Sequence, residues 1–318
     1  MFLIALILVN IAIAGIIYLY VKLTIGICKC SKHLVGKVVI VTGGGNGIGF
    51  ETAKDLADRG ARVIIACNNE SHGNAAINEI IAATGNSDVH YRYLDLASFN
   101  SIRKFADEIL QREKRLDILV NNAGIYGSHN VKTEDDLLLG MQTNHFGPFL
   151  LTCLLLPLLK STAPSRIINV SSMAHGLATL DLNNLNMEKE TKETFSKNRV
   201  YALSKLCNVL FTLELSRRLQ GTGVTANALH PGVVKTKIFD DVDSILFKFI
   251  VPVLKLFSKT QWEGAQTTIY LAVSPEVKEV SGKYFRDCHM VKVSTDQASD
   301  VVLARKLWDI SEKLVKLT

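Results

Sequence analysis

The chain has 318 residues, a net charge of +6, 48% hydrophobic residues and six cysteines. That length suits one large α/β domain or two small ones, with enough apolar content for a sizeable core. No arginine-rich tract or aromatic-basic pattern accompanies the modest charge, which argues against nucleic acid as a partner. The cysteines at 28, 30, 67, 153, 207 and 288 lack the density of a disulfide scaffold and the spacing of metal ligands, so no metal is expected.

Residues 2–21 are almost wholly apolar, with Asn10 the one strongly polar side chain. That is about the length needed to cross a ~30 Å hydrocarbon core. No basic residue precedes the run, whereas Lys22, Lys29, Lys32 and Lys37 follow it. A retained anchor over 1–27 is therefore expected rather than a cleaved signal. The basic flank places the bulk of the chain on the cytosolic side, and its charge suits anionic headgroups or an anionic cofactor. Cys28 and Cys30 beside the anchor read either as acylation sites or as plain reduced thiols. A basic linker over 28–35 then leads to one domain over 36–318.

Within that domain, short β-branched runs alternate with helical patterns. Strands are expected at Val38–Thr42, Arg62–Cys67, Val89–Leu94, Ile118–Asn121, Arg166–Val170, Val224–Leu229 and near Tyr284. Helices are expected over 48–59, 72–83, 99–113, 135–159, 199–219 and 262–273. The strands lack strict polar alternation, as expected when both faces are covered. The alternation predicts an α/β fold: a Rossmann-type doubly wound parallel sheet with helices on both faces. Its ligand crevice lies at the strand carboxyl ends.

The first strand runs into Thr42-Gly43-Gly44-Gly45-Asn46-Gly47-Ile48-Gly49, which opens the first helix. Glycines at 43, 47 and 49 let a pyrophosphate approach closely, and the helix amino end favours its charge. The spacing departs from the common Gly-x-Gly-x-x-Gly and points to another branch of dinucleotide binders. After the second strand, where NAD binders commonly place an acid for the ribose hydroxyl, the chain reads Cys67-Asn68-Asn69. The missing acid removes repulsion against a 2′-phosphate and Asn68 can donate to it, so NADP(H) is preferred, with NAD(H) still open. Asp95-Leu96 closes the third strand; Asp95 reads as an acceptor for the adenine amino group or as a turn acid. Asn121-Asn122-Ala123-Gly124 ends the fourth, with room for a ribose beside Ala123 and Gly124.

Tyr201 and Lys205 are one helical turn apart and follow Ser172 by 29 residues. A tyrosine is a poor base near neutrality, and an ammonium on the same helix face favours its phenolate. Ser172, with Ser171 as its rival, would hold the substrate oxygen and stabilise developing charge. Asn144 would hold a water linking Lys205 to solvent. Tyr18 and Lys22 repeat the Tyr/Lys spacing inside the anchor, so order and context carry the reading, not spacing alone. His145, His175 and His230 lack carboxylate or cysteine companions and read as structural.

In this order, Thr42–Gly49, Asp95, Asn121–Gly124, Asn144, Ser172, Tyr201/Lys205 and Pro231-Gly232 resemble the short-chain dehydrogenase/reductase superfamily. Asn144-His145-Phe146-Gly147, Asn169-Val170-Ser171-Ser172 and His230-Pro231-Gly232-Val233-Val234 resemble its membrane-anchored retinol dehydrogenase branch more narrowly. The resemblance implies hydride transfer between NADP(H) and a lipophilic alcohol or aldehyde such as retinol or retinal. It implies residence in the endoplasmic reticulum, Val234 and Thr236 over the nicotinamide carboxamide, and frequent homo-oligomers. Relatives usually carry Arg where Asn68 stands, and a charged insert (Glu188–Lys197) lengthens the stretch before Tyr201. Steroid, polyprenol or fatty-aldehyde chemistry, or a membrane-tethered NADP-binding scaffold without turnover, are the alternatives. Ser244–Phe257 is strongly apolar and reads either as an amphipathic lid on the membrane or as a core helix.

Overall fold

The computed structural model describes residues 15, 16, 19, 22–126, 129–234 and 258–317. Most of the expected anchor, Thr236 and the apolar segment 244–257 lie outside the described residues.

Eight strands form one sheet, with the spatial order β3-β2-β1-β4-β5-β6-β7-β8. They are β1 (Val38–Thr42), β2 (Arg62–Cys67), β3 (Val89–Tyr93), β4 (Ile118–Asn121), β5 (Ser165–Val170), β6 (Val224–His230), β7 (Tyr284–Arg286) and β8 (His289–Val291). All neighbours pair in parallel except β7 and β8, which are antiparallel. β8 and the reversed edge were not anticipated from the sequence. The strand order turns back between β1 and β4, which opens a crevice at their carboxyl ends.

Alternation along β1 explains the two cores. Val38 and Ile40 join one apolar cluster, while Val39 and Val41 join the other. The helices that cover these faces are α1 (Gly47–Asp58), α2 (Glu70–Thr84), α3 (Phe99–Arg112), α4 (Gly147–Thr162), α5 (Lys197–Arg218), α6 (Gln261–Val273) and α7 (Val301–Leu314). The first cluster draws on α3, α4, α5 and α7, and the second on α1, α2 and α6. Burial of both strand faces is what the uniformly apolar β1 requires.

The helix expected over 135–159 begins at Leu139 and passes through a π turn, Gln142–Phe146, before α4. Leu139–Thr162 is long and apolar enough to cross a membrane, but most of it is buried within the fold, as befits a core helix. α7 was missed from sequence, although Asp300 caps it and Ala304, Leu307, Trp308 and Ser311 form a buried stripe.

Residues 28–35, read from sequence as a linker, lie against the domain. Arg59 Nη1 donates to the Cys30 carbonyl at 2.7 Å, and the Cys28 N–H donates to Gln266 Oε1 at 3.2 Å. Just upstream, Lys22 forms an ion pair with Glu263 at 2.7 Å. Glu263 also completes a capping box with Thr260 at the start of α6.

Candidate active site

Thr42 ties the ends of β1 and β4 together. Its hydroxyl donates to the Val120 carbonyl at 3.3 Å and accepts from the N–H groups of Asn122 and Ala123, both at 3.0 Å. The Asn122 amide then donates to the Thr42 carbonyl at 2.9 Å. Two glycines of the turn are required by geometry. A Cβ on Gly49 would fall 2.3 Å from the Gly43 carbonyl oxygen, and Gly47 has φ +60 with nothing within 4 Å of a Cβ position. Space therefore opens beside the amino end of α1. Asn46, the N-cap, makes no side-chain capping bond, so the helix's first N–H groups are left for another acceptor. An anionic pyrophosphate fits that arrangement. Gly45 approaches β2 and α2, where its Cβ would lie 3.2 Å from Cys67 Sγ, and Ile48 is half-buried behind the turn.

Asn68 is exposed just beyond β2. Asn69 caps α2 by accepting from the His72 N–H at 2.9 Å. Asp95 Oδ1 accepts from the Ala97 N–H at 3.0 Å, the contact expected of a turn acid. Leu96 is buried. Behind the crevice, Asn121 donates to Thr152 Oγ1 and to Asn169 Oδ1 at 2.9 and 2.8 Å, and Asn169 donates to Thr212 Oγ1 at 2.9 Å. This amide ladder locks β4 and β5 to α4 and α5.

Adjacent serines at the end of β5 diverge. Ser171 is buried and donates to the Lys205 carbonyl at 2.8 Å, whereas Ser172 is half-exposed and hydrogen-bonds the Tyr201 phenol. Lys205 is buried; its Nζ donates to the Val170 carbonyl at 3.0 Å and lies 5.6 Å from the centroid of the Tyr201 ring. Burial lowers the Lys205 ammonium from its ordinary value to about 8. Burial also pushes the Tyr201 phenol up, opposed by its bond to Ser172. That direction is opposite to the one expected of an ammonium neighbour.

Asn144 sits in the π turn, a distortion that recurs at functional sites. Its Oδ1 accepts from the Ile125 N–H at 2.8 Å; its Nδ2 donates to the Ile125 carbonyl at 2.9 Å and to Ser204 Oγ at 3.0 Å. Gly124 separates it from the lysine: a Cβ there would lie 3.2 Å from Lys205 Nζ and 3.3 Å from Asn144 Oδ1. The backbone at 123–125 thus threads between the two side chains. Tyr126, unnoticed in the sequence, sets its ring edge-on to Tyr201 with centroids 5.1 Å apart, and its hydroxyl bonds Asn198.

After β6, Pro231 is buried and Gly232 has φ +99. Val234 is buried beneath the start of α6 and bridges to Lys259. The three histidines all have structural partners. His145 Nε2 meets Ser311 Oγ at 3.1 Å, and burial lowers this histidine to about 3. The Ser294 N–H donates to His175 Nε2 at 3.2 Å, leaving Nδ1–H to donate to the Ser172 carbonyl at 2.7 Å. His230 Nδ1 accepts from the Gly232 N–H at 3.3 Å, and burial lowers His230 to about 4.

Comparison with known proteins accords with this geometry. The profile for short chain dehydrogenases matches residues 37–181. Mouse retinol dehydrogenase 11 is 45% identical over 295 residues, 93% of this chain and 91% of the relative. Human retinol dehydrogenase 12 is 45% identical over 292 residues, 91% and 90% of the two chains. The chain belongs to the short-chain dehydrogenases, in a retinol dehydrogenase-like branch. Among solved structures, an uncharacterised protein from Mycobacterium paratuberculosis superposes with a TM-score of 0.72 at 32% identity, covering 90% of this chain and 95% of the other. The Pseudomonas aeruginosa RhlG/NADP active-site complex superposes with a TM-score of 0.61 at 25% identity, covering 80% and 95%.

This short-chain dehydrogenase is accordingly an oxidoreductase acting on CH–OH groups and a binder of a nicotinamide cofactor. Three of its site neighbours escaped the sequence reading: Tyr126 over the tyrosine, and Lys259 and Asp287 behind the Pro231–Gly232 turn. The aromatic run-on from Asn121–Gly124 to Tyr126 was a usable signal for the first. Nothing local marks the other two.

Proposed function

We propose that this dehydrogenase interconverts a lipophilic alcohol and its aldehyde, with retinol and retinal the preferred pair and NADP(H) the preferred cofactor. The observation that carries the reading is the meeting of Ser172, at the carboxyl end of β5, with Tyr201 and Lys205 on the first turns of α5, joined to the glycine turn through Asn122–Gly124. The names of the relatives support retinoids as the substrate class. Absence of an acid at Asn68 supports NADP(H) over NAD(H).

Thr42, Gly43, Gly45, Asn46, Gly47, Ile48 and Gly49 would hold the pyrophosphate, with Asn68 at the adenosine ribose and Asp95 and Leu96 at the adenine. Asn122, Ala123 and Gly124 would line the ribose site, and Pro231, Gly232, Val234 and Thr236 the nicotinamide. When bound, the nicotinamide supplies or accepts the hydride. Ser172 holds the substrate oxygen and Tyr201 gives or takes its proton at the phenol oxygen. Lys205 contributes positive charge beside that phenol and a grip on ribose. Asn144 fixes the Ile125 backbone behind the lysine, which supports a role in relaying protons to it.

Residues 1–27 would anchor the protein in the endoplasmic reticulum membrane, the basic stretch 28–35 would follow, and the domain over 36–318 would face the cytosol. The four flanking lysines support that orientation. Segment 244–257 would add a second, apolar membrane contact. Microsomes supplied with NADPH and retinal test the central reading: Tyr201→Phe lowers turnover by about 10²–10⁴-fold. Equal rates for variant and wild type would overturn it. A panel of retinoids, steroids, polyprenols and fatty aldehydes fixes the substrate class.

A further inference from the structure

Behind the Pro231–Gly232 turn a buried lysine pairs with a half-buried aspartate, an ion pair that the chemistry above does not use. Lys259 is 7% exposed; its Nζ contacts Asp287 Oδ1 at 2.5 Å and donates to the Pro231 carbonyl at 3.1 Å. The stem of the lysine runs under Gly232, where a Cβ would fall 2.7 Å from its Cδ. The turn is pinned on its other side by the Gly232 N–H, which donates to His230 Nδ1. Asp287 has a second duty. The same Oδ1 accepts from the N–H of Gly26, in the stretch that follows the apolar run 2–21, at 3.4 Å. Gly26 comes so close that a Cβ there would overlap the Asp287 carbonyl, at 1.9 Å. A buried ammonium needs partners that outweigh its desolvation, and here they are one carboxylate and one carbonyl of the cofactor-end turn.

We propose that Lys259 is a positioning residue that sets the Pro231–Gly232 turn for the nicotinamide, and that Asp287 and Gly26 tie this setting to the segment leaving the membrane. The inference rests on the functional reading above. Removing the ammonium releases the Pro231 carbonyl and leaves Asp287 with Arg286, whose Nε lies 3.9 Å from its Oδ2, so the turn loses its register against the cofactor. Displacing the segment at Gly26 disturbs Asp287 and reaches the turn through Lys259.

The test uses the full chain in detergent micelles, with NADPH and NADH binding followed by nucleotide fluorescence and unfolding followed in parallel. Lys259→Met weakens NADPH binding about tenfold, equivalent to ~1.4 kcal/mol. Lys259→Arg, which keeps the charge, restores most of it. Asp287→Asn and Gly26→Val each weaken binding in the same direction, less than Lys259→Met. Should Lys259→Met fail to fold, Asp287→Asn and Gly26→Val carry the decision. Unchanged nucleotide affinity in the folded variants overturns the proposal, as does an equal loss in Lys259→Arg and Lys259→Met. A wild-type protein that binds neither nucleotide instead sinks the functional reading, which keeps the two failures apart.

Discussion

Lys205 Nζ is moored to the carbonyl of Val170 at 3.0 Å, two residues before Ser172. The cation that faces the Tyr201 ring is thereby fixed to the strand that presents the serine. Moving either element moves both. Burial holds this ammonium at about 8, while Tyr201 stands above its ordinary value near 10. In the direction of aldehyde reduction both groups act in protonated form. The first proton lost as pH rises is that of Lys205, so the rate falls as pH passes through about 8. Lys205→Arg, which stays charged, shifts this descending limb to higher pH. A limb that stays in place in the pH–rate profile would refute the assignment.

The two serines of β5 separate by function. Ser172→Ala removes the hydrogen bond to Tyr201 and lowers kcat by about 10²–10³-fold, the cost of losing one donor to developing charge. Ser171→Ala breaks only the bond to the Lys205 carbonyl and costs ~1 kcal/mol of stability with a small effect on kcat. Steady-state kinetics beside thermal unfolding distinguishes them.

Gly49→Ala is expected to destabilise the protein by ~1–3 kcal/mol, because its methyl group would meet the Gly43 carbonyl oxygen and the Asn122 amide. Nucleotide affinity falls with it, since the turn must spread. Thermal unfolding with and without NADPH reads both effects.

At Asn68, exposed beyond β2, Asn68→Arg raises the preference for NADPH over NADH about tenfold through a charge-assisted bond to the 2′-phosphate. Asn68→Asp reverses it. The ratio of kcat/KM for the two nucleotides checks the pair, and an unchanged ratio in both variants removes Asn68 from the cofactor site.

Acid stability follows from the buried histidines. His145 and His230 are lowered to about 3 and about 4, below the ordinary value of 6.5. Between those values the unfolded chain binds more protons than the folded one, so stability is full above 6.5 and drains as pH falls. Each contributes at most ~1.4 kcal/mol per pH unit in that window. His145→Gln flattens the slope of unfolding free energy between pH 6.5 and 4; an identical slope would contradict the burial argument.

Much of this layout could be read from the chain. β1, β2 and β4 have the bounds that their apolar runs suggest, because both faces of each are covered and pattern alone marks them. The glycine turn and the Tyr201/Lys205 pair are local motifs and fall where expected. β8 and the antiparallel edge were illegible: three residues, partly exposed, carry no period. Lys259 and Asp287 are 28 residues apart and meet only because β7 places its loop beside the turn after β6. The effect of burial on Tyr201 was likewise hidden, since spacing reports who stands beside a phenol but not how much water reaches it.

The π turn at Gln142–Phe146 carries a design consequence. Deleting a single residue there would restore regular winding and leave the helix beyond it nearly in phase, because five residues of π winding turn through about the same angle as four of α winding. Phe149, Leu151 and Leu155 would keep their places in the interior, whereas Asn144 would lose both backbone partners. That one widened loop of helix lets a single continuous rod satisfy two unrelated demands, the seating of Asn144 against Ile125 at its beginning and close fitting along its length.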